Sequence, residues 1–81
     1  MDKKYEFTGE TMKAWDGTIL HQIRALRDIG VFGVVAGALG GWIAAEKNLS
    51  QTGTAWVYGD AQVYGDAQVY GDAQVHGTAR V

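Results

Sequence analysis

The sequence predicts an all-β chain, with room for a minor α element near its start, that closes in a short parallel β-helix. Three observations predict it. From Val57 the chain repeats in sixes: Val57-Tyr58-Gly59-Asp60-Ala61-Gln62 is followed by the same six residue types over 63–68 and 69–74. Twelve glycines and no proline among 81 residues favour many tight turns over rigid loops. Near the start, Tyr5-Glu6-Phe7-Thr8 alternates with period two, ahead of the turn signal Asp16-Gly17.

The repeat has the physical parts of a strand and a corner. Valine, β-branched, suits an extended segment with its side chain inward. Alanine four places on is small enough to point inward where the wall bends. Glycine reaches positive φ freely, and the aspartate beside it can bond nearby amides. Each six is therefore a short flat strand plus a corner, and three corners close a triangle. Val75-His76-Gly77-Thr78-Ala79-Arg80 continues in phase, and Val81 opens a further copy. Backwards, Gln51-Thr52-Gly53-Thr54-Ala55-Trp56 keeps the glycine and alanine but has Gln51 in place of valine. Leu49, Ile43 and Leu39 fall on apolar positions of the same frame.

Three segments follow. Residues 1–28 read as a hairpin or cap, with strands over Met12–Trp15 and Thr18–Ile23 joined by Asp16-Gly17. The rival is an amphipathic helix over Thr18–Ile29, with Ile19, Ile23 and Leu26 on one face and Gly30 as its cap. Both readings stay open for 18–29. Residues 29–50 form a glycine-rich apolar transition coil, and 51–81 are the repeat. Within the transition, Ile29–Ala45 carries no charge, and Gly33, Gly37 and Gly41 repeat as in close-packed membrane helices. A spanning helix wants about 20 apolar residues, so this shorter, glycine-broken run makes a small membrane protein spanning 29–45 the lesser alternative, and no membrane partner is expected. The first thirty residues lack the apolar stretch of a cleavable leader, and a cytoplasmic location in the host cell is expected.

The Val-x-Gly-Asp-Ala-x repeat resembles the hexapeptide left-handed β-helix family, in which three hexapeptides make one coil. Leu39-Gly40-Gly41-Trp42-Ile43 followed by Asn48-Leu49-Ser50-Gln51 also resembles the segment before the hexapeptides in small phage and prophage proteins of this type. The resemblance covers 39–81 specifically and the first 38 residues loosely. It departs at Val34, Val35, Ala38, Ala44 and Ala45, where those relatives are more charged. It implies a left-handed coil in which residues eighteen apart stack: Val57 on Val75, Tyr58 on His76, Ala61 on Ala79, Gln62 on Arg80. The repeat alone makes fewer than two such coils, so Leu39–Ser50 is expected to supply an upper one. Val75, His76, Ala79 and Val81 then mark an uncapped lower end, from which a homo-oligomer is expected.

Composition narrows the chemistry. The net charge of −2 comes wholly from the repeat, where Asp60, Asp66 and Asp72 stand against Arg80 after position 47. Such a balance predicts no direct nucleic-acid binding, because phosphate recognition needs a basic footprint. Without cysteine there is no disulfide or thiolate metal site. In the resembled family, anhydrases need three histidines and acyltransferases a histidine base. Here only His21 and His76 occur, and His76 replaces an outward tyrosine. Phosphate-loop, dinucleotide and zinc-protease motifs are missing, so no enzyme, cofactor or metal is expected. Trp42 reads as core, and Trp56 as cover for the junction with the N-terminal part. The leading expectation is a protein-binding module whose outward Tyr58, Tyr64 and Tyr70 alternate with Asp60, Asp66 and Asp72, facing a host or phage protein. A sharper form is an inhibitor of a bacterial defence complex, of anti-CRISPR type, in which carboxylates imitate phosphates. A simpler account keeps the aspartates as corner chemistry alone. A self-assembling virion accessory module is the alternative.

Overall fold

The computed structural model describes residues 3–29, 33–77 and 80–81. Its regular structure is all-β apart from a single 3₁₀ turn at Glu46–Asn48. Strand β1 (Tyr5–Lys13) and strand β2 (Ile19–Ala25) pair antiparallel, with Tyr5 opposite Ala25, Phe7 opposite Ile23 and Lys13 opposite Ile19. The hairpin thus forms, and the helix reading of Thr18–Ile29 does not. The turn is longer than two residues. Gly17 N donates to Ala14 O at 3.0 Å and Ala14 N to Thr18 O at 2.8 Å, while Asp16 Oδ1 accepts from Thr18 N at 3.0 Å. Trp15 is therefore a turn residue, because the aspartate side chain closes its own small ring around the bend. Between the Phe7–Ile23 and Thr11–His21 pairs, β1 carries two extra residues in a bulge around Gly9.

Strand β3 (Leu39–Ile43) pairs antiparallel with the other edge of β2, placing Leu39 by Arg24 and Trp42 by Gln22. Its far edge pairs parallel with β5 (Gln62–Val63), completing the order β1-β2-β3-β5. A second sheet joins β4 (Trp56–Val57) and β6 (Gln74–Val75), also in parallel. Single parallel bridges set Leu49 on Val69 and Gln62 on Arg80. Trp56–Gln74, Val57–Val75 and Gln62–Arg80 are each eighteen residues apart, as expected for those pairs. Ala79, the expected neighbour of Ala61, lies outside the described residues.

The upper layer departs from the sequence frame. Trp42–Gln62, Ile43–Val63 and Leu49–Val69 are twenty residues apart, not eighteen. Gly53 already lies against Gly71, where an added Cβ would meet Gly71 O at 2.6 Å. The two extra residues therefore fall between Leu49 and Gly53. Ile43 and Leu49 stand over the repeat valines, and Leu39 belongs to neither layer: it is 59% exposed. The frame misplaced them because an insertion at a corner changes the count without disturbing the pairing.

One buried cluster draws on all three sequence segments: Tyr5 and Ile23 from the hairpin, Ile43 and Leu49 from the transition, Val57 and Val63 from the repeat. Burying each of these aliphatic side chains contributes about 1.5–3 kcal/mol. Gly40 and Gly41 let β3 approach it. A Cβ at Gly40 would sit 2.7 Å from Ile23 and 2.8 Å from Trp56, and one at Gly41 would sit 2.6 Å from Val57. Trp56 does cover the junction: it is 1% exposed and meets the Tyr5 ring edge-on at 6.4 Å. Trp42 is only half-buried, on a strand rather than in the core. From residue 33 the uncharged run folds as a loop that returns to β2, with Gly37 N donating to Ala25 O and Ala25 N to Ala38 O, and then as β3. Among the described residues no helix is long and apolar enough to cross a membrane.

Candidate functional site

Each repeat corner is a Tyr-Gly-Asp-Ala turn closed by its own backbone. Ala61 N donates to Tyr58 O at 3.0 Å, Ala67 N to Tyr64 O at 3.3 Å and Ala73 N to Tyr70 O at 3.2 Å. The glycines take φ of 54°, 64° and 66°, and no described non-glycine residue has positive φ. Glycine at the first central position and a negative-φ residue at the second is the type II′ pattern, which demands glycine but makes no demand on aspartate. Accordingly, the carboxylates of Asp60, Asp66 and Asp72 accept no backbone bond among the described residues. Asp66 alone meets a charge, Lys47 Nζ at 3.3 Å, and both side chains are so exposed that the pair contributes little. Asp16 and Asp28 differ: their carboxylates accept from Thr18 N and Ala36 N, each at 3.0 Å.

The three tyrosines share a sequence context and not an environment. Tyr58 is half-buried and stacks on His76, with centroids 4.4 Å apart and planes 8° from parallel. Its hydroxyl is buried without a partner among the described residues, and burial pushes its phenol pKa up. Tyr64 OH accepts from Trp15 Nε1 at 3.1 Å. Tyr70 stands 67% exposed. Val57, Val63 and Val69, which open these repeats, pair with Val75, Ile43 and Leu49 respectively. The corners thus follow strands that have different partners. Among the described residues no three His, Asp or Glu side chains are grouped to hold a metal ion.

Of the residues assigned to self-association, Val75 is half-buried on β6, which lies beside β4 alone. His76 is exposed and Val81 is 49% exposed. Ala79 is outside the described residues. His21, the other histidine, stacks on Phe7 at 4.6 Å.

The junction above the repeat was invisible to sequence reasoning. Lys4 is fully buried, its Nζ donating to Ala55 O at 2.7 Å and Thr52 O at 3.3 Å. Burial, with the Arg27 charge adding to it, pushes its amine down to about 8. Tyr5 OH donates to Leu49 O at 2.6 Å and to Glu46 O at 3.2 Å. Burial first, and the Glu46 charge second, hold that phenol well above its ordinary range. Gln51 Oε1 accepts from Lys4 N at 2.7 Å, which explains an amide where the repeat has valine. Asn48, also buried, donates to Ala67 O and Gly65 O and accepts from Ala45 N. These groups are spent on main-chain partners, so they hold the fold rather than offer a reactive site. The one legible signal was the interrupted frame around Gln51.

No family model matches the chain, and no curated protein matches it either.

Proposed function

We propose that this chain is a non-enzymatic, phage- or prophage-type protein-binding module that acts in the host cytoplasm. Its repeat is a short left-handed parallel β-helix, a reading supported by eighteen-residue parallel pairing of three-repeat layers. Asp60, Asp66 and Asp72, with Tyr58, Tyr64 and Tyr70, face a partner that carries basic groups, and the sharper form is an inhibitor of a nucleic-acid-handling defence complex. One observation carries the reading: the corners close without their aspartates, so the carboxylates are left for another molecule.

The test is capture from nuclease-treated bacterial lysate by the wild-type chain and by a triple variant, Asp60→Asn, Asp66→Asn and Asp72→Asn. The expected outcome is a nucleic-acid-handling complex retained by the wild type and lost by the variant, at unchanged circular dichroism and melting temperature. Equal capture by the two chains ends this reading. A second reading, a self-assembling structural module, is favoured by β6, whose only strand neighbour among the described residues is β4, with exposed His76 next in the chain. Light scattering that grows with concentration beyond a dimer, and that Val75→Asp abolishes, supports that alternative.

A further inference from the structure

Trp15 is 77% exposed, more than any other large apolar side chain among the described residues. An exposed indole is usually free to reorient, but this one is tied. Its Nε1 donates to Tyr64 OH at 3.1 Å, linking the hairpin turn to a repeat corner 49 residues away. That corner is itself fixed, since Asn48 Nδ2 donates to both Gly65 O and Ala67 O. The turn is fixed at the other end by the Asp16–Thr18 and Ala14–Thr18 bonds. A tethered, solvent-facing tryptophan has less side-chain freedom left for binding to remove, which suits an interface anchor.

The charges around it indicate the occupant. Asp66 sits in the corner that begins at Tyr64, and its side chain is wholly exposed. Its contact with Lys47 is long and solvated, and a forked donor can displace it. Asp16 belongs to the same turn as Trp15; its carboxylate already accepts one backbone bond. Lys13 ends β1 just before the turn, so the local field is mixed, and the chain as a whole carries −2. An exposed indole bonded to Tyr64, two residues before the open Asp66 carboxylate in the chain, suits a planar cation that stacks and forks at once, which is arginine rather than lysine.

We infer that Trp15 anchors the partner contact by seating an arginine side chain of the partner on its indole, with Asp66 as the counter-ion. The inference rests on the protein-binding reading above and adds to it a residue and a side-chain class.

The experiment follows the three indole N–H resonances of the full chain during titration with hexa-arginine, hexa-lysine and hexa-glutamine peptides. Hexa-arginine is expected to move the Trp15 signal, leave Trp42 and Trp56 in place, and bind about threefold more tightly than hexa-lysine. Trp15→Ala and Asp66→Asn each weaken hexa-arginine by about threefold or more, while Lys47→Ala tightens it by freeing Asp66. Tyr64→Phe, which keeps the ring and removes the tether, weakens it less than Trp15→Ala. Equal binding of arginine and glutamine peptides, or unchanged affinity in Trp15→Ala, overturns the assignment. In the lysate experiment, a partner lost by the triple asparagine variant but kept by Trp15→Ala overturns the anchor and leaves the protein-binding reading standing. A partner kept by both variants overturns both.

Discussion

The layer that carries Ile43 and Leu49 and the layer that carries Val63 and Val69 pair strand to strand, yet different chemistry holds them. The lower layer repeats one device, a glycine corner closed by a backbone bond, and leaves its three aspartates exposed. The upper layer is closed by single, non-repeating contacts: Lys4 on Ala55 O, Tyr5 on Leu49 O, Asn48 on Gly65 O and Ala67 O, Gln51 on Lys4 N. The difference teaches where constraint lies. In the lower layer the corner backbone needs glycine and little else, so the aspartates, and Tyr70 among the tyrosines, are open to contacts outside the chain. In the upper layer nearly every polar group is already committed to a main-chain partner, and a change there is felt by the fold.

The largest expected effect contrasts two glycines. Gly40→Ala drives a Cβ to within 2.8 Å of Ile23, Trp56 and the Val57 carbonyl, and should lose about 3 kcal/mol by overpacking at the junction. Gly65→Ala meets open space at a φ of 64°, and should lose only about 1 kcal/mol of conformational strain. Urea denaturation of the two variants measures the gap; equal losses would erase the distinction between the layers.

The next effect is a pH profile confined to the upper layer. The Lys4 amine lies at about 8 in the fold against 10.5 for an ordinary lysine. Between those values the unfolded chain binds more protons than the native one, so stability rises with pH, by on the order of 2 kcal/mol. Tyr5 works the other way. Its phenol is held neutral by burial, while the unfolded phenol ionises above about 10, so stability falls beyond that point. The melting temperature is therefore expected to rise from about pH 8 to an optimum near pH 10 and to fall beyond it. Lys4→Met removes the rise and Tyr5→Phe the fall. A flat profile in the wild type contradicts the junction's role.

The smallest effect sharpens the comparison within one residue type. Asp28→Ala removes a bond to Ala36 N and should lose about 1 kcal/mol. Asp60→Ala, Asp66→Ala and Asp72→Ala should each change stability by less than about 0.5 kcal/mol, because no backbone bond depends on them. Melting temperatures of the four variants separate the two kinds of aspartate.

Much of the lower layer was legible because a period of six imposes the same local geometry at each copy. Val57 over Val75 and Tyr58 over His76 could be named from spacing and resemblance. The hairpin was legible from Asp16-Gly17, although its turn is longer, since a side-chain bond to Thr18 N is not encoded in a two-residue signal. Ile43 and Leu49 were placed in the wrong register because two inserted residues before Gly53 look, in sequence, like a degenerate repeat. The proposed corner residues were visible as a set. That Tyr64 is tied to Trp15, Tyr58 covered by His76 and Tyr70 left bare depends on what packs beside each corner.

The sequence by itself determined the all-β class and the repeat corners, since each follows from short-range backbone preference repeated in phase, while the eighteen-residue spacing of the lower pairs was what the family resemblance implied. Only the tertiary structure decided which polar side chains are consumed. Lys4 and Tyr5 reach carbonyls more than forty residues away, and no local pattern records a hydrogen bond whose partner is brought near by folding alone.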